Sequence, residues 1–212
     1  MATNFYIDGF NLYYRAIKNR LPQYKWLDIQ AFCQSLLHEH EIKRVRYFTA
    51  LVNDSPHNPG VALRQATYLR ALATLPKVEI HYGQFRTRDV RMPLSRPQPN
   101  QPEVVRVRRT EEKRSDVNLA THLLLDACDR DFDEAAVISN DSDLMEPIMA
   151  VRDRFNKPIG VINPDIGDRR SLDLQEAGSW SFPTIYRRYF RDNQLPTEIT
   201  DATGTFHKPP SW

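Results

Sequence analysis

The sequence predicts an α/β fold with a central, mainly parallel sheet that helices cover on both faces. Short apolar runs rich in β-branched and aromatic residues alternate with longer segments whose apolar residues recur at helical spacing. Strands that alternate with crossover helices form parallel sheets covered on both faces. The length of 212 residues and the hydrophobic content of 41% fit one globular domain with a short appendage.

The individual elements follow from local composition, taken in chain order. The first apolar run, NFYID, ends in Asp-Gly, and the second, RVRYFTALV, is rich in β-branched and aromatic residues. Strands are therefore expected over 4–8, 44–52, 78–85, 134–139 and 158–163. Helices are expected over 11–18, 29–38, 61–75, 116–128 and 143–155, with Pro22 separating the first two. The repeated strand–helix order is what favours parallel pairing.

Two stretches depart from this alternation. Residues 87–102 contain four prolines and several arginines, and we interpret them as a long mobile loop with a functional role. The domain is expected over residues 1–190, with this Pro/Arg-rich insertion loop near 86–104. Residues 191–212 are polar and proline-bearing and are expected to form a C-terminal tail, held to the domain at most by Phe206 or Trp212.

Composition excludes several classes of protein. The chain has no internal repeat and an average share of charged residues, which excludes collagen-like, coiled-coil and wholly disordered proteins. The first residues lack the pattern of a signal peptide, and no window is apolar enough to span a membrane. Cys33 and Cys128 stand in no metal-like spacing, so a reduced, cytoplasmic protein is expected. No glycine-rich phosphate-binding fingerprint occurs.

The net charge of +2 hides an uneven distribution. Residues 86–114 carry nine basic and four acidic side chains, which gives this segment +5 and leaves −3 for the rest. A basic segment on a slightly acidic body indicates a polyanionic partner, and the alternative is a solvated arginine-rich loop. The basic residues are Arg86, Arg88, Arg91, Arg96, Arg106, Arg108, Arg109, Lys113 and Arg114.

Four aspartates stand at the ends of predicted elements. Asp8 and Asp141 directly follow strands, and Asp116 and Asp143 stand at the starts of helices. The carboxyl ends of parallel strands open onto one crevice, so these side chains are expected to meet there. Four carboxylates brought together repel one another unless a cation neutralises them. Oxygen ligands favour Mg²⁺ or Mn²⁺, which can activate water and orient a phosphodiester.

Each aspartate also has a purely structural interpretation. Asp8 precedes Gly9 and could form a turn, while the other three could cap helices. The histidines are expected to be packed or solvated, since none stands in a zinc-like pattern. Ser139 and Ser142 lack a histidine activator, so we expect them to hydrogen-bond the carboxylates or a phosphate. Taken together, the four aspartates favour a functional site over four separate caps.

Three motifs resemble the NYN domain family, within the PIN-like nuclease superfamily. They are the strand-DG-x-N start (YIDGFN, 6–11), the middle motif EKRSDVNLA (112–120) and the segment VISNDSDL (137–144). Their order and spacing agree over roughly residues 4–165, and the LabA-like (DUF88) branch matches best. The resemblance implies a three-layer α/β PIN-like (Rossmannoid) fold and a metal-dependent ribonuclease site.

The resemblance assigns roles to individual residues. It implies Asp8, Asp116, Asp141 and Asp143 as metal ligands and catalytic residues, Asn11 as a polar support, and Lys113 as a recurrent basic residue. One departure is that family members often have Gly-Val where Arg114 and Ser115 stand. Many members of this group have no demonstrated activity.

These observations predict a metal-dependent endoribonuclease that uses one or two Mg²⁺ or Mn²⁺ ions. Single-stranded RNA is the expected partner, and we also consider a second copy of the chain as a partner. Basic side chains would hold the flanking phosphates without reading sequence. The candidates for RNA binding are Arg106, Arg108, Arg109 and Arg114. The alternatives are a catalytically silent RNA- or protein-binding module of the same fold and, less favoured, a phosphoryl-acceptor domain.

Overall fold

The computed structural model describes residues 1–97, 102–167, 171–182 and 184–212. The strands are β1 (Ala2–Asp8), β2 (Glu41–Thr49), β3 (Val78–Tyr82), β4 (Gln84–Pro93), β5 (Val104–Lys113), β6 (Glu134–Ile138), β7 (Ile159–Ile162), β8 (Trp180–Phe182), β9 (Glu198–Asp201) and β10 (Gly204–His207). The helices are α1 (Gly9–Leu12), α2 (Ile29–Leu36), α3 (Val61–Leu72), α4 (Ser115–Cys128), α5 (Met145–Arg154), α6 (Leu172–Ala177) and α7 (Arg187–Arg191). A π-helical turn (Tyr13–Ile17) extends α1, and a 3₁₀ turn (Ser142–Leu144) precedes α5.

Six strands form the central sheet, in the order β3-β2-β1-β6-β7-β8. All five strand pairs are parallel, which confirms the predicted α/β class with a central parallel sheet. Strands β1 and β6 are neighbours at the centre of the sheet; β2 and then β3 follow β1 toward one edge, and β7 and then β8 follow β6 toward the other. The strand order therefore reverses between β1 and β6, and ligands of open α/β sheets bind beyond the carboxyl ends of strands at such a point.

Helices bury both faces of this sheet. Alternate residues of β1 point to opposite faces, so Phe5 and Ile7 join one apolar cluster while Tyr6 joins the other. The first cluster takes its helical residues mainly from α1, α2 and α3, and the second from α4, α5 and α6. The result is the three-layer arrangement that the alternating pattern predicts.

A buried ion pair fixes α4 against the sheet. Asp126 is 6% exposed and accepts hydrogen bonds from Tyr6 Oη (2.6 Å) and from Arg46 Nε (2.7 Å) and Nη2 (2.9 Å). These contacts tie the helix to β1 and β2 at once. Because α4 begins one residue before Asp116, the same contacts hold that aspartate at the sheet edge.

The predicted loop over 87–102 is wrong at residues 87–93, which belong to strand β4. Strands β4 and β5 form an antiparallel hairpin whose register runs from Gln84 opposite Lys113 to Pro93 opposite Val104. Proline disrupts a strand only at positions where its missing N–H would have to donate a hydrogen bond to the neighbouring strand. Here Pro93 ends β4 and Pro102 precedes β5, so both strands keep their hydrogen bonds. Residues 98–101, which also belong to the predicted loop, lie outside the described residues.

The segment after residue 190 packs on the domain. Strands β9 and β10 form a second hairpin, in which Phe206 is buried and lies 4.0 Å beneath the guanidinium of Arg70. The ring of Trp212 contacts the rings of Trp26 and Tyr68. Phe206 and Trp212 thus help to hold the segment, together with the ion pair between Arg70 and Asp201, while the domain boundary at 190 stays a prediction. In the described ranges, no helix is long and apolar enough to cross a membrane.

Candidate functional site

One open cleft lies at the point where the strand order reverses. The carboxylates of Asp8, Asp116 and Asp141 line it, so three of the four predicted aspartates come together there. Asp143 lies beside them on the 3₁₀ turn, with its side chain exposed. We call this the acidic cleft, and its full lining is Asp8, Phe10, Asn11, Tyr14, Phe85, Glu112, Ser115, Asp116 and Asp141.

Asp8 closes β1 and is 5% exposed. Its Oδ1 accepts the backbone N–H of Asn11 (2.9 Å) and caps α1, while its Oδ2 accepts the hydroxyl of Ser139 (3.1 Å). Burial raises the pKa of Asp8, and the negative charge of Asp141 adds to that rise while the hydrogen bonds oppose it. The structural role predicted for this residue and a place in the site therefore coexist.

Ser139 and Asn11 bind the ends of β1 and β6 together. The hydroxyl oxygen of Ser139 also accepts the backbone N–H of Asp141 (3.1 Å), so one serine touches both aspartates. Asn11 Oδ1 accepts the backbone N–H of Asn140 (3.2 Å). These two residues position the aspartates, as a supporting role requires. Ser142, by contrast, is exposed on the 3₁₀ turn.

Asp116 has the most perturbed carboxyl of the cleft. Burial raises its pKa to about 6, and the charges of Asp8, Asp141 and Glu112 contribute to the rise. The basic side chains of the hairpin that form ion pairs do so with Asp89 and Glu111 and not with Asp116. Throughout the described ranges, no lysine or arginine forms an ion pair with any of the four aspartates. The cleft therefore holds uncompensated negative charge.

Glu112 is a further carboxylate that the sequence analysis did not place in the site. It lies on β5, and its Oε1 accepts the backbone N–H (3.2 Å) and the hydroxyl (2.8 Å) of Ser115 at the start of α4. The signal that could have found it is strand alternation. Once 104–113 is known to be a strand, even-numbered residues share one face, and Glu112 falls on the face toward the cleft.

The same alternation divides the predicted RNA-binding residues. Arg106 and Arg108 share the face of Glu112, where their guanidinium groups lie 3.0 and 3.7 Å from Asp89. Arg109 and Lys113 point to the other face and pair with Glu111 at 2.5 and 3.4 Å. Arg106 and Arg108 thus share a strand face with Glu112, whereas Arg109 and the supporting residue Lys113 lie on the opposite face, and none of these four side chains lines the cleft.

Arg114 occupies the turn between β5 and α4. Its φ of 86° lies in the left-handed region, which glycine adopts without strain. This is the position at which the resembling family often has glycine. The departure from the family pattern therefore changes the strain in this turn and leaves Asp116 on the first turn of α4.

The donor set of the acidic cleft fits a hard divalent cation. All of its ligating groups are oxygen atoms, and their mutual repulsion is what a cation would relieve. Within the described residues, no three acidic, histidine or cysteine side chains form a ready-made metal-binding group. Mg²⁺ commonly needs only one or two carboxylates, because it keeps several waters and takes oxygens from substrate phosphates. The residues fit such a water-rich site.

Comparison with known proteins agrees with this geometry. Residues 2–176 match the profile of the NYN domain. The 6-hydroxy-3-succinoylpyridine 3-monooxygenase HspA of Pseudomonas putida is 28% identical over 238 residues, which cover 100% of this chain and 75% of that protein. A crystal structure of a protein of unknown function from Vibrio parahaemolyticus aligns with a TM-score of 0.53 at 18% identity. The alignment covers 92% of this chain and 96% of the Vibrio chain. At this low identity, the similarity shows the fold alone.

The family of this chain follows from how much of the chain the NYN domain profile matches. The match covers all three motifs on which the resemblance rests, and the six-stranded parallel sheet agrees with a PIN-like fold. The finer placement in the LabA-like (DUF88) branch stays a prediction. The chain belongs to the NYN domain family, within the PIN-like nuclease superfamily.

Proposed function

We propose that this protein is a metal-dependent endoribonuclease that hydrolyses phosphodiester bonds of single-stranded RNA. The observation that carries the proposal is the uncompensated carboxylate cluster of Asp8, Asp116 and Asp141 at the reversal point of the sheet. A metal-dependent nuclease uses such a cluster to hold its ion, whereas a silent binding module gains nothing from carboxylates that repel each other and repel RNA.

Mg²⁺ or Mn²⁺ is the cofactor that this donor set fits. Asp8, Asp116 and Asp141 would hold it, with Asp143 alongside. When bound, such an ion supplies charge neutralisation at the phosphate and activation of the attacking water.

The protein's own side chains position the reacting groups. Ser139 holds Asp8 and Asp141 in fixed orientations through its two hydrogen bonds. Arg106 and Arg108 share a strand face with Glu112 and lie outside the lining of the cleft, so they would contact phosphates farther along a bound strand. Contacts of this kind orient the strand and carry no information on base sequence.

Aromatic rings next to the carboxylates offer stacking surfaces for bases. Phe10 packs against Phe85 with ring centroids 5.6 Å apart and against Tyr14 at 6.2 Å. All three line the acidic cleft, and the ring of Tyr14 is half exposed. Stacking on such rings is the usual way in which proteins bind unpaired bases without sequence preference. This supports a single-stranded substrate.

The experiment is cleavage of end-labelled single-stranded RNA, beside a DNA strand of the same sequence, in Mn²⁺, Mg²⁺ or EDTA. Asp141→Asn is expected to abolish cutting. The matched control is Asp153→Asn, an exposed aspartate of α5 that pairs with Arg152. Retention of RNA without cutting in any condition would instead indicate the binding module. Cutting that survives in Asp141→Asn would contradict the proposed site.

The similarity to HspA along the whole chain raises a second candidate, which is oxygenation of a hydroxypyridine acid. It is tested with the same preparation in an oxygen electrode, with 6-hydroxy-3-succinoylpyridine and a reduced nicotinamide as the electron donor. If the protein is a nuclease, no oxygen uptake that depends on this substrate is expected. Uptake that is stoichiometric with substrate would favour the second candidate.

A further inference from the structure

A second pocket adjoins the acidic cleft and has a different character. It shares Phe10 and Tyr14 with the cleft, and its remaining wall combines aromatic, aliphatic and polar side chains. Tyr47, Tyr68 and Trp212 contribute rings to that wall. We call it the aromatic pocket. Apart from Phe10 and Tyr14, the residues of its wall have no part in the function proposed above.

The size of the aromatic pocket selects its occupant. Its cavity volume is about 120 Å³. A cavity of roughly 150 Å³ lined by apolar side chains is enough to bind benzene. Because the aromatic pocket is somewhat smaller than that cavity, its space favours one six-membered ring over the larger fused rings of a purine.

Tyr47 supplies an unused hydrogen-bonding group inside this pocket. Its side chain is 7% exposed, and within the described residues no group hydrogen-bonds to its hydroxyl. The backbone of Gly9 packs on the ring, because a Cβ there would lie 2.6 Å from Tyr47 Cζ. The neighbouring polar groups are satisfied, since Tyr68 Oη donates to Leu27 O (2.9 Å) and Gln65 Nε2 to Ala50 O (2.9 Å). Tyr47 Oη is therefore available to a ligand.

Two lysines give the pocket a positive side. Lys18 Nζ lies 4.6 Å from the centroid of the Tyr14 ring, and Lys25 is partly buried in the lining. Among the described residues, no carboxylate pairs with either lysine. A partly buried ammonium without a counter-ion favours an anionic group on whatever occupies the adjoining space.

We propose that the aromatic pocket binds a single six-membered aromatic ring that carries an anionic group. The ring packs among the tyrosines and Trp212, Tyr47 Oη hydrogen-bonds a polar ring atom, and Lys25 pairs with the anion. Two sources share this chemistry: a pyrimidine nucleotide of a bound strand, and a free aromatic carboxylate. The proposal goes beyond the proposed function, because binding here does not require cleavage.

The test is a titration followed by NMR in EDTA, so that cleavage plays no part. The indole N–H of Trp212, assigned with Trp212→Phe, reports occupancy. The probes are uridine 5′-monophosphate, adenosine 5′-monophosphate, pyridine-3-carboxylate and its neutral amide. Tyr47→Phe removes only the hydroxyl, Lys25→Gln removes only the charge, and Tyr186→Phe is the control at an exposed tyrosine outside the pocket.

The expected result is saturable binding of at least one anionic single-ring probe. Tyr47→Phe should weaken it about two- to tenfold, as loss of a neutral hydrogen bond does, while Tyr186→Phe leaves it unchanged. Lys25→Gln should remove the preference for the carboxylate over the amide. If only uridine monophosphate binds, the natural ligand is a nucleotide of the bound strand. If only pyridine-3-carboxylate binds, it is a free aromatic acid.

Three results would overturn the inference. The first is that neither anionic single-ring probe shows saturable binding up to about 10 mM, a dissociation constant that corresponds to about 3 kcal/mol of binding free energy. The second is equal affinity for the purine and pyrimidine nucleotides, which contradicts the argument from volume. The third is binding that Tyr47→Phe and Lys25→Gln leave unchanged in protein whose thermal unfolding shows it to be folded.

Discussion

Replacing Asp116 by asparagine is expected to stabilise the metal-free protein, although it removes a residue of the proposed active site. In the wild type, the folded state raises the pKa of this carboxyl because the side chain is partly buried beside other carboxylates. Ionisation at neutral pH therefore costs folding free energy. Asparagine has nearly the same shape and cannot ionise, so the variant escapes that cost.

The magnitude follows from the shift in pKa. A rise from 3.8 to about 6 corresponds to about 3 kcal/mol, at about 1.4 kcal/mol for each pKa unit. For an acid whose folded pKa is raised, the stabilisation is complete below the unfolded pKa and is lost as pH rises through the folded pKa. Solvent screens a half-buried carboxyl, so these values are upper limits, and the advantage of the variant should grow from at most about 1 kcal/mol at pH 4.5 to at most about 3 kcal/mol at pH 8.

The assay is urea unfolding in EDTA at several pH values. Asp126→Asn is the control, since it replaces another buried aspartate of α4 and should lower stability by about 1–3 kcal/mol, because Arg46 loses its buried partner and keeps only the more exposed Glu79. Added Mg²⁺ should stabilise the wild type more than Asp116→Asn. An Asp116→Asn protein that is less stable than the wild type, or whose advantage does not change with pH, would refute the reasoning.

Three further predictions concern the surroundings of the cleft. Arg114→Gly should raise the free energy of unfolding by about 0.5–1 kcal/mol in urea, because glycine adopts the left-handed turn without strain; an unchanged midpoint would contradict this. Ser139→Ala should lower it by about 1–3 kcal/mol and slow RNA cleavage, because Asp8 loses a buried donor; wild-type cleavage would argue against a positioning role. Arg108→Ala should reduce the salt slope of RNA binding by about 0.7, while its neighbour Arg109→Ala, on the opposite face, should not; equal effects would show that the faces are not distinguished.

The sheet was largely predictable because its strands are short apolar runs. The predicted runs correspond to β1, β2, β3, β6 and β7 within a few residues. The edge strand β8 has only three residues, too few to show a period. The β4–β5 hairpin was missed because its prolines were weighed as if they stood inside strands, and their harmless positions are visible only once the register is known.

The site was predictable where it depends on strand ends. Asp8 and Asp141 follow β1 and β6, so their meeting follows from parallel pairing alone. Whether Glu112 or Lys113 points to the cleft depends instead on which face of strand β5 is turned toward it. A shift of one residue moves a side chain to the other face, so without the hairpin the sequence could not separate these neighbours.

The most direct test of the central claim is RNA cleavage in ¹⁸O-labelled water, with the products analysed by mass spectrometry. If the carboxylate cluster hydrolyses phosphodiesters, the wild type should yield terminal phosphates with one ¹⁸O atom from solvent, in Mn²⁺ or Mg²⁺ only. Asp141→Asn should yield no product. Cyclic phosphates without ¹⁸O, product formed in EDTA, or undiminished product from Asp141→Asn would contradict hydrolysis at this cleft.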